Sequence, residues 1–154
     1  MLLRVSSFNF PFSIFQFRIS MADSQPILVT AGIIVDGDLI LICQRHHDDA
    51  YGMQWEFPGG KVHPGEGTKE SLRRELKEEL AIEAEVGEEV FRLRHQYPDR
   101  FVEVVFFSVL SFQGTMINQV FENIKWAPRN QISDFNFLEA DRELVARIAR
   151  GEIV

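Results

Sequence analysis

Three glutamates, Glu75, Glu78 and Glu79, follow a pair of glycines, Gly59 and Gly60, in the stretch "GGKVHPGEGTKESLRRELKEEL". Spacings of three and four residues place the three carboxylates on one face of a helix. Like charges at those spacings destabilise a helix by about 0.2–0.5 kcal/mol per pair. The repulsion disappears when a cation lies between the carboxylates, so the pattern predicts a divalent metal site.

An oxygen-only site favours Mg²⁺, with Mn²⁺ as a substitute, because both ions take oxygen ligands in octahedral geometry. The glycines allow the backbone to approach closely, so that a main-chain carbonyl becomes a further ligand. Arg74 can hold the Glu75 carboxylate in one orientation through charge-assisted hydrogen bonds. The ions would bridge phosphate oxygens and activate a water. A solvated helix face laced with ion pairs is the alternative interpretation.

The elements that must position these residues follow from hydrophobic periodicity. Thr68 is expected to cap a helix over 69–80, in which Leu72, Leu76 and Leu80 form one apolar stripe. A second helix is expected over 138–151. Strands are predicted at 27–35, 39–45, 55–60, 101–112 and 124–127, with a strand pair or a bent strand at 84–98. A loop is predicted at 46–54, and a loop or a weak edge strand at 113–123. The pattern predicts one α+β domain, arranged as an α/β/α sandwich.

Composition excludes several classes of protein. The chain has 154 residues, of which 45% are hydrophobic and 25% charged, and no apolar run approaches the ~20 residues that span a membrane. A net charge of −7 argues against a protein that coats long nucleic acid. Cys43 is the single cysteine, so no internal disulfide can form; it is expected in the core, and a cytoplasmic location is expected.

The first twenty residues differ from the rest of the chain. They contain five phenylalanines, two arginines, four serines and no acid, and Met21 follows them. The favoured interpretation is that Met21 is the true start, with residues 1–20 a non-core extension and 21–154 the catalytic domain. A transit-type presequence and a secretory signal are the alternatives.

The residues from 60 to 82 resemble the motif of the Nudix hydrolase family. They follow the pattern G-(x5)-E-(x7)-R-E-L-K-E-E-L-A-I, with the fixed positions at Gly60, Glu66, Arg74, Glu75, Leu76, Glu78, Glu79 and Ile82. Ala81 departs from the pattern, since the family usually has glycine there, and this affects the loop geometry rather than the metal ligands. The resemblance extends over 27–150 and is to the MutT-like branch.

That resemblance implies a mixed β-sheet between helices, with the motif loop and helix as the catalytic element. It implies hydrolysis of a nucleoside triphosphate at the β-phosphorus, releasing a nucleoside monophosphate and pyrophosphate. The implied metal ligands are the Gly59 carbonyl, Glu75, Glu78 and Glu79. Glu75 is also the candidate for orienting or deprotonating the attacking water, and Arg74 and Glu78 are counted with it as catalytic. Gly60 and Glu66 would support the site from behind.

The resemblance also implies residues outside the motif. Another acid from a later loop is expected as a metal ligand, with Glu122 as the first candidate and Glu103 as the alternative. Arg45, Phe57, Lys61, Asp99 and Arg100 are expected to bind substrate, with Phe57 beside the base and Asp99 and Arg100 in the "YPDR" run. A simple turn is the alternative interpretation of Asp99 and Arg100.

Asp141 aligns with an asparagine that reads the oxidised purine in MutT. An ionised aspartate only accepts hydrogen bonds, whereas an amide also donates. Contact with O6 of 8-oxoguanine therefore requires a protonated Asp141, and burial can raise its pKa enough. An ionised Asp141 would instead suit the amine of cytosine. A helix N-terminal acid is the third interpretation.

The expected function is an 8-oxo-dGTP diphosphatase that removes the oxidised nucleotide before DNA synthesis. The alternative within the same chemistry is a (d)CTP pyrophosphohydrolase; an RNA 5′-pyrophosphohydrolase or a sugar-nucleotide hydrolase is less favoured. A catalytically silent nucleotide sensor belongs to a different class, and the retention of every motif glutamate argues against it. The expected partner is a small nucleotide, with no long nucleic acid and no membrane, in a monomer or homodimer.

Overall fold

The computed structural model describes residues 25–154. The predicted extension at 1–20 and the alternative start at Met21 lie outside the described residues. Among the helices that are described, none has the length and apolar character needed to cross a membrane.

The described residues form seven strands, two α-helices and two short 3-10 helices. The strands are β1 (Ile27–Asp36), β2 (Leu39–Gln44), β3 (Trp55–Glu56), β4 (Gly59–Lys61), β5 (Glu83–Gln96), β6 (Phe101–Gln113) and β7 (Asn123–Pro128). The α-helices are α1 (Thr68–Leu80) and α2 (Arg142–Ala149), and the 3-10 helices cover Arg129–Asp134 and Glu139–Asp141.

The strands form one mixed sheet in the order β3-β2-β1-β6-β5, with β4 paired to β1 and β7 paired to β2. β1 runs parallel to β6 and antiparallel to β2 and β4. β5 and β6 form a long antiparallel hairpin. Because β4 leads directly into the loop before α1, its pairing with β1 anchors the acidic helix to the centre of the sheet.

The sheet separates two hydrophobic cores, as alternating side chains along β1 require. Ile34 faces α1, whose leucine stripe of Leu72, Leu76 and Leu80 is fully buried. Ile33 faces the opposite core, together with Leu144 and other apolar residues of α2. The predicted α/β/α sandwich and the mixed sheet are confirmed.

Two predicted helix boundaries were wrong in detail. Gly67, not Thr68, is the N-cap of α1, and the Glu70 carboxylate accepts the Gly67 backbone N–H at 3.4 Å. The second helix is shorter than 138–151, since a 3-10 turn precedes α2, which ends at Ala149. The segment 84–98 is one strand with bulges, as the bent-strand alternative predicted, and the segment 113–123 is a loop except for its two end residues, as the loop alternative predicted.

Candidate active site

The acidic face of α1 packs directly against β4. Glu79 accepts a hydrogen bond from the backbone N–H of Gly59 at 3.0 Å. A Cβ at Gly60 would lie 2.4 Å from the carboxyl carbon of Glu75, so any side chain there would displace that carboxylate. The two glycines therefore let two carboxylates of α1 lie against the backbone of the neighbouring strand.

Gly59 is also required by the sheet itself. It pairs with Ala31 of β1 and has φ +152°, a value that side chains rarely adopt. A Cβ at this position would lie 2.0 Å from the carbonyl oxygen of Thr30. The close approach of β4 to β1 thus depends on glycine, and it sets the position of the strand that faces the glutamates.

Arg74 fixes the motif loop and two of the glutamates together. Its Nε and Nη2 donate to the Glu66 carboxylate at 2.7 and 3.0 Å, and its Nη1 donates to Glu75 at 2.7 Å and to Glu78 at 3.3 Å. Its hydrogen bonds lower the pKa of Glu66 to about 2, with help from the His63 backbone N–H. Glu66 therefore stays ionised and holds Arg74 in place, as the predicted supporting role requires.

Glu79 experiences the strongest electrostatic stress in the cluster. Burial raises the pKa of Glu79 to about 9, and the carboxylates of Glu56, Glu75 and Glu78 add to the rise, while the Gly59 N–H opposes it. An acid in such surroundings keeps its proton at neutral pH unless a cation takes that place. The atoms of this cluster that could bind a metal are all oxygens, so the residues fit a hard divalent ion better than a metal that prefers thiolate or imidazole ligands.

The carboxyl end of α1 is held by the segment before β7. The Gln119 side-chain amide donates to the carbonyls of Lys77 and Glu78 at 3.1 and 2.9 Å, and its backbone N–H donates to the Glu79 carbonyl at 3.0 Å. These bonds satisfy helix-end carbonyls that have no partner within the helix. They also restrain the turn of α1 that carries Glu78 and Glu79.

A cavity adjoins the glutamate cluster and shares Gly59 with it. Its walls come from β1, β6 and the residues that precede α2. Four of the predicted substrate-binding residues line this cavity: Arg45, Phe57, Arg100 and Asp141. The structure therefore brings the metal-binding and base-binding candidates together, although they lie far apart in the chain.

Asp141 is a buried acid with 5% of its surface exposed. Burial raises its pKa to about 8, and Glu56 adds to the rise, while the Phe57 backbone and the Arg45 guanidinium oppose it. Asp141 stands at the N-cap position of α2 but makes no side-chain capping bond there. The helix N-terminal interpretation therefore fits the position of Asp141 but not a capping role, and the same residue lines the cavity.

The family model for the NUDIX domain matches residues 26–148. The chain belongs to the NUDIX domain family. Nudix hydrolases generally use divalent metal ions, in keeping with the oxygen donors described above. The predicted membership of the family is thereby confirmed.

Relatives of the chain within this family are named for two different substrates. The chain is 34% identical to the CTP pyrophosphohydrolase of Escherichia coli over 119 residues, covering 77% of this chain and 88% of that protein. It is 31% identical to the 8-oxo-dGTP diphosphatase of Haemophilus influenzae, covering 82% and 93%. The solution structure of the Escherichia coli ORF135 protein matches with a TM-score of 0.73 at 32% identity, covering 82% and 90%.

At position 81 the chain has alanine where the Nudix motif usually has glycine. Ala81 follows α1 and has φ 58° and ψ 27°, the left-handed conformation in which glycine is favoured. Its N–H still closes the helix on the Lys77 carbonyl at 3.1 Å. The substitution therefore strains the helix end without altering the metal-binding face.

Several predicted residues lie outside the cavity lining. Asp99 binds the hydroxyl of Tyr51 at 3.2 Å and the guanidinium of Arg100 at 2.5 Å, within the turn between β5 and β6. The Lys61 backbone carbonyl accepts from Arg74, while the residue itself is exposed. Asp99 and Arg100 lie in the connection between β5 and β6, as the turn interpretation predicts, and Arg100 also lines the cavity.

The two later-loop acids make contacts of different kinds. Glu122 accepts hydrogen bonds from His47, at 2.8 Å from the ring Nδ1 and 3.2 Å from the backbone N–H. Glu103 pairs with Arg92 and Arg94 across the β5–β6 hairpin, at 2.5 and 2.6 Å. The pairing of Glu103 with two arginines makes it a strand residue in an ion-pair network.

Sequence reasoning missed Glu56, which links both parts of the site. Its carboxylate pairs with Arg45 at 2.8 Å, and it raises the pKa of Glu79 and of Asp141. Tyr51 was also missed; it lines the cavity and has φ 59°, a strained value for a residue other than glycine. No local pattern identifies Glu56, because its importance arises from contacts between distant parts of the chain.

Proposed function

We propose that this chain is a Mg²⁺-dependent nucleoside triphosphate pyrophosphohydrolase that releases a nucleoside monophosphate and pyrophosphate, with 8-oxo-dGTP as its preferred substrate. One observation carries the proposal: the glutamate cluster of α1 adjoins a cavity lined by the buried Asp141, whose pKa is raised to about 8 by its burial. The first feature suits a triphosphate with its metal ion, and the second suits a base that needs both a donor and an acceptor.

In this proposal, the Gly59 carbonyl, Glu75, Glu78 and Glu79 hold the metal. When bound, Mg²⁺ neutralises phosphate charge and lowers the pKa of a water ligand. Glu75 orients or deprotonates the attacking water, because Arg74 keeps its carboxylate in one position at 2.7 Å. The predicted metal-binding role of Glu122 is not included, since His47 occupies its carboxylate.

Asp141 reads the base in its protonated form. Its O–H donates to O6 of 8-oxoguanine, and its other oxygen accepts from N7–H. Phe57, packed edge-on against Phe106 with ring centroids 6.1 Å apart, supports a flat apolar wall beside the base. Arg45 and Arg100 supply positive charge for the nucleotide, and Asp99 holds Arg100 in place.

A (d)CTP pyrophosphohydrolase is the second candidate, favoured by the relative from Escherichia coli that bears the CTP name. The cytosine amine needs an acceptor, which an ionised Asp141 offers. Burial opposes that ionised form near neutral pH. The charge state of one carboxyl group therefore separates the two candidates.

A nucleotide panel tests the proposal on the full chain. We expect Mg²⁺-dependent conversion of 8-oxo-dGTP to monophosphate and pyrophosphate, with higher kcat/KM than for dGTP, CTP or dCTP. Glu79→Gln should abolish turnover, whereas Glu88→Gln, a matched change at an exposed glutamate outside the cluster, should not. Release of diphosphate and orthophosphate, or turnover without a divalent ion, would contradict the proposal. Turnover of none of these nucleotides would favour a sensor.

The remaining features follow from the same proposal. The partner is a small nucleotide rather than long nucleic acid, in keeping with the net charge of −7. A monomer or homodimer in the cytoplasm is the arrangement that we expect. Sedimentation analysis of the full chain measures whether it is a monomer or a homodimer.

A further inference from the structure

A second group of metal-binding side chains lies in the loop between β2 and β3. His46, His47 and Asp48 each offer one ligand atom, and these atoms all lie within 4.8 Å of one another. Asp48 Oδ2 lies 3.5 Å from His47 Nε2 and 3.8 Å from His46 Nδ1. Ligands around a tetrahedral Zn²⁺ with bonds of about 2.1 Å lie roughly 3.4 Å apart. The three side chains would therefore have to move closer together to share one ion, and His46 Nδ1 would give up the Asp48 backbone N–H that it accepts at 3.3 Å.

Glu122 contributes from a distant part of the chain. It lies just before β7, yet its Oε2 is 2.8 Å from His47 Nδ1 and also accepts the His47 backbone N–H. A carboxylate that accepts from Nδ1–H leaves the lone pair on Nε2, the nitrogen that faces Asp48. Metal-binding histidines in proteins are commonly oriented by an outer carboxylate in this way.

We propose that His46, His47 and Asp48 form a transition-metal site, with Glu122 as the positioning residue for His47. Two imidazoles and one carboxylate suit Zn²⁺ and similar ions, whereas Mg²⁺ prefers oxygen donors alone. The site is separate from the glutamate cluster in its residues and in its ligand chemistry. Both histidines are exposed to solvent at 43% and 57% of their side-chain surface, so an ion can enter directly.

Occupation of this site would restrain the loop beside the cavity. The same loop carries Arg45 and Tyr51, which line the cavity, and Tyr51 and Met53 adopt positive φ values of 59° and 66°. An ion bound to the histidines would tie this loop to Glu122 and so to the segment that caps α1. The site is therefore placed to stabilise the loop rather than to take part in hydrolysis.

Zn²⁺ titration of the full chain by calorimetry, in saturating Mg²⁺, tests the proposal. We expect one Zn²⁺ per chain, with perturbation of the imidazole nitrogen signals of His46 and His47 in NMR spectra. His46→Ala or His47→Ala should weaken binding by at least about 100-fold, and Glu122→Gln by about 10- to 100-fold. His63→Ala, a change at an exposed histidine outside the cluster, is the matched control and should bind Zn²⁺ as the unchanged chain does.

Two results would overturn the proposal. One is the lack of stoichiometric Zn²⁺ binding by the unchanged chain. The other is Zn²⁺ binding that survives both histidine substitutions but is lost in Glu79→Gln, which would locate the ion at the glutamate cluster. Hydrolysis is not a readout in either case, so this proposal can fail while the proposed function holds, and the reverse is equally measurable.

Discussion

Two carboxyl groups, the half-buried Glu79 and the buried Asp141, have pKa values raised to about 9 and about 8 by the same main cause, the loss of water around them. Their neighbours differ. Glu79 faces three other carboxylates, Glu56, Glu75 and Glu78, so its surroundings carry excess negative charge that a cation relieves. For Asp141, Glu56 is the only carboxylate among the causes of the shift, and Arg45 opposes it. A bound proton is therefore enough to neutralise the Asp141 carboxylate.

Desolvation alone does not decide what an acid binds. Neighbouring charge decides whether the carboxyl group takes up a metal ion or remains a neutral hydrogen-bond donor. Glu56 takes part in both environments, because it raises both pKa values while pairing with Arg45 at 2.8 Å. One glutamate thus couples the metal side of the site to the base side.

The largest expected effect comes from substitutions in the glutamate cluster that is proposed to bind the metal. Glu78→Gln or Glu79→Gln removes charge while keeping shape, so kcat should fall by orders of magnitude with the fold intact. Activity of the unchanged chain should vanish with a chelator and return with Mg²⁺ or Mn²⁺. Steady-state kinetics and circular dichroism measure both, with Glu88→Gln as the control. Full turnover by a metal-free sample would contradict the account.

The second largest expected effect concerns recognition of the base by Asp141. With Asp141 protonated, kcat/KM for 8-oxo-dGTP should fall as the pH rises through about 8, and Asp141→Asn should lose that dependence because its amide donates at every pH. One polar contact of this kind is worth about 1–3 kcal/mol, or roughly ten- to a hundredfold in specificity. The measurement is kcat/KM for 8-oxo-dGTP, dGTP and dCTP across the range from about pH 6 to 9. Equal substrate ratios in both proteins at every pH would remove Asp141 from base recognition.

A third prediction tests both carboxyl groups in one stability experiment. Their folded pKa values exceed the ordinary values of 4.5 and 3.8, so between those values and about 8–9 the folded state binds more protons than the unfolded state. The free energy of unfolding of the metal-free chain should therefore fall as pH rises from 5 to 9, by at most about 1.4 kcal/mol per pH unit for each group.

Urea denaturation in a chelating buffer at several pH values measures this slope. Glu79→Gln should flatten it, and Mg²⁺ should stabilise the unchanged chain more at pH 8 than at pH 5, because ligands bind the deprotonated form. Glu66 does not affect this window, since its pKa of about 2 places its contribution below pH 4.5. A stability that rises between pH 5 and 9 without metal would contradict the raised pKa values.

The smallest expected effect comes from a substitution at the end of α1, away from both carboxyl groups. Ala81→Gly relieves the left-handed strain at the end of α1. We expect a gain of up to about 1 kcal/mol in the free energy of unfolding, because relief of strain is partly offset by the greater entropy of glycine in the unfolded chain. The pH profile and kcat should not change. A large change in kcat would show that the helix end controls the glutamates more closely than proposed.

Local patterns were sufficient to predict α1 and its functional face. The stripe of Leu72, Leu76 and Leu80 is a property of adjacent turns, and so is the grouping of the three glutamates on the neighbouring face. The end of α1 was also predictable, whereas its start was missed by one residue because Gly67 caps through its backbone. The limits of α2 were missed because Asp141 belongs to a 3-10 turn rather than to the helix.

Contacts between distant residues were not predictable from one sequence. Glu56 acts on Asp141 because β3 lies beside the turn before α2, where Trp55 bridges to Phe137. His47 meets Glu122 because β7 pairs with β2 over its whole length. These contacts depend on strand order, which periodicity does not determine. The missed residues are accordingly those whose roles arise from topology.

Hydrolysis in H₂¹⁸O shows which phosphorus atom the water attacks. The proposed function requires attack at the β-phosphorus of a nucleoside triphosphate bound at the glutamate site. Single-turnover reaction of the full chain with 8-oxo-dGTP and Mg²⁺ should place one ¹⁸O atom in pyrophosphate and leave the monophosphate unlabelled, as read by mass spectrometry of both products. Label in the monophosphate, or release of orthophosphate, would contradict the account.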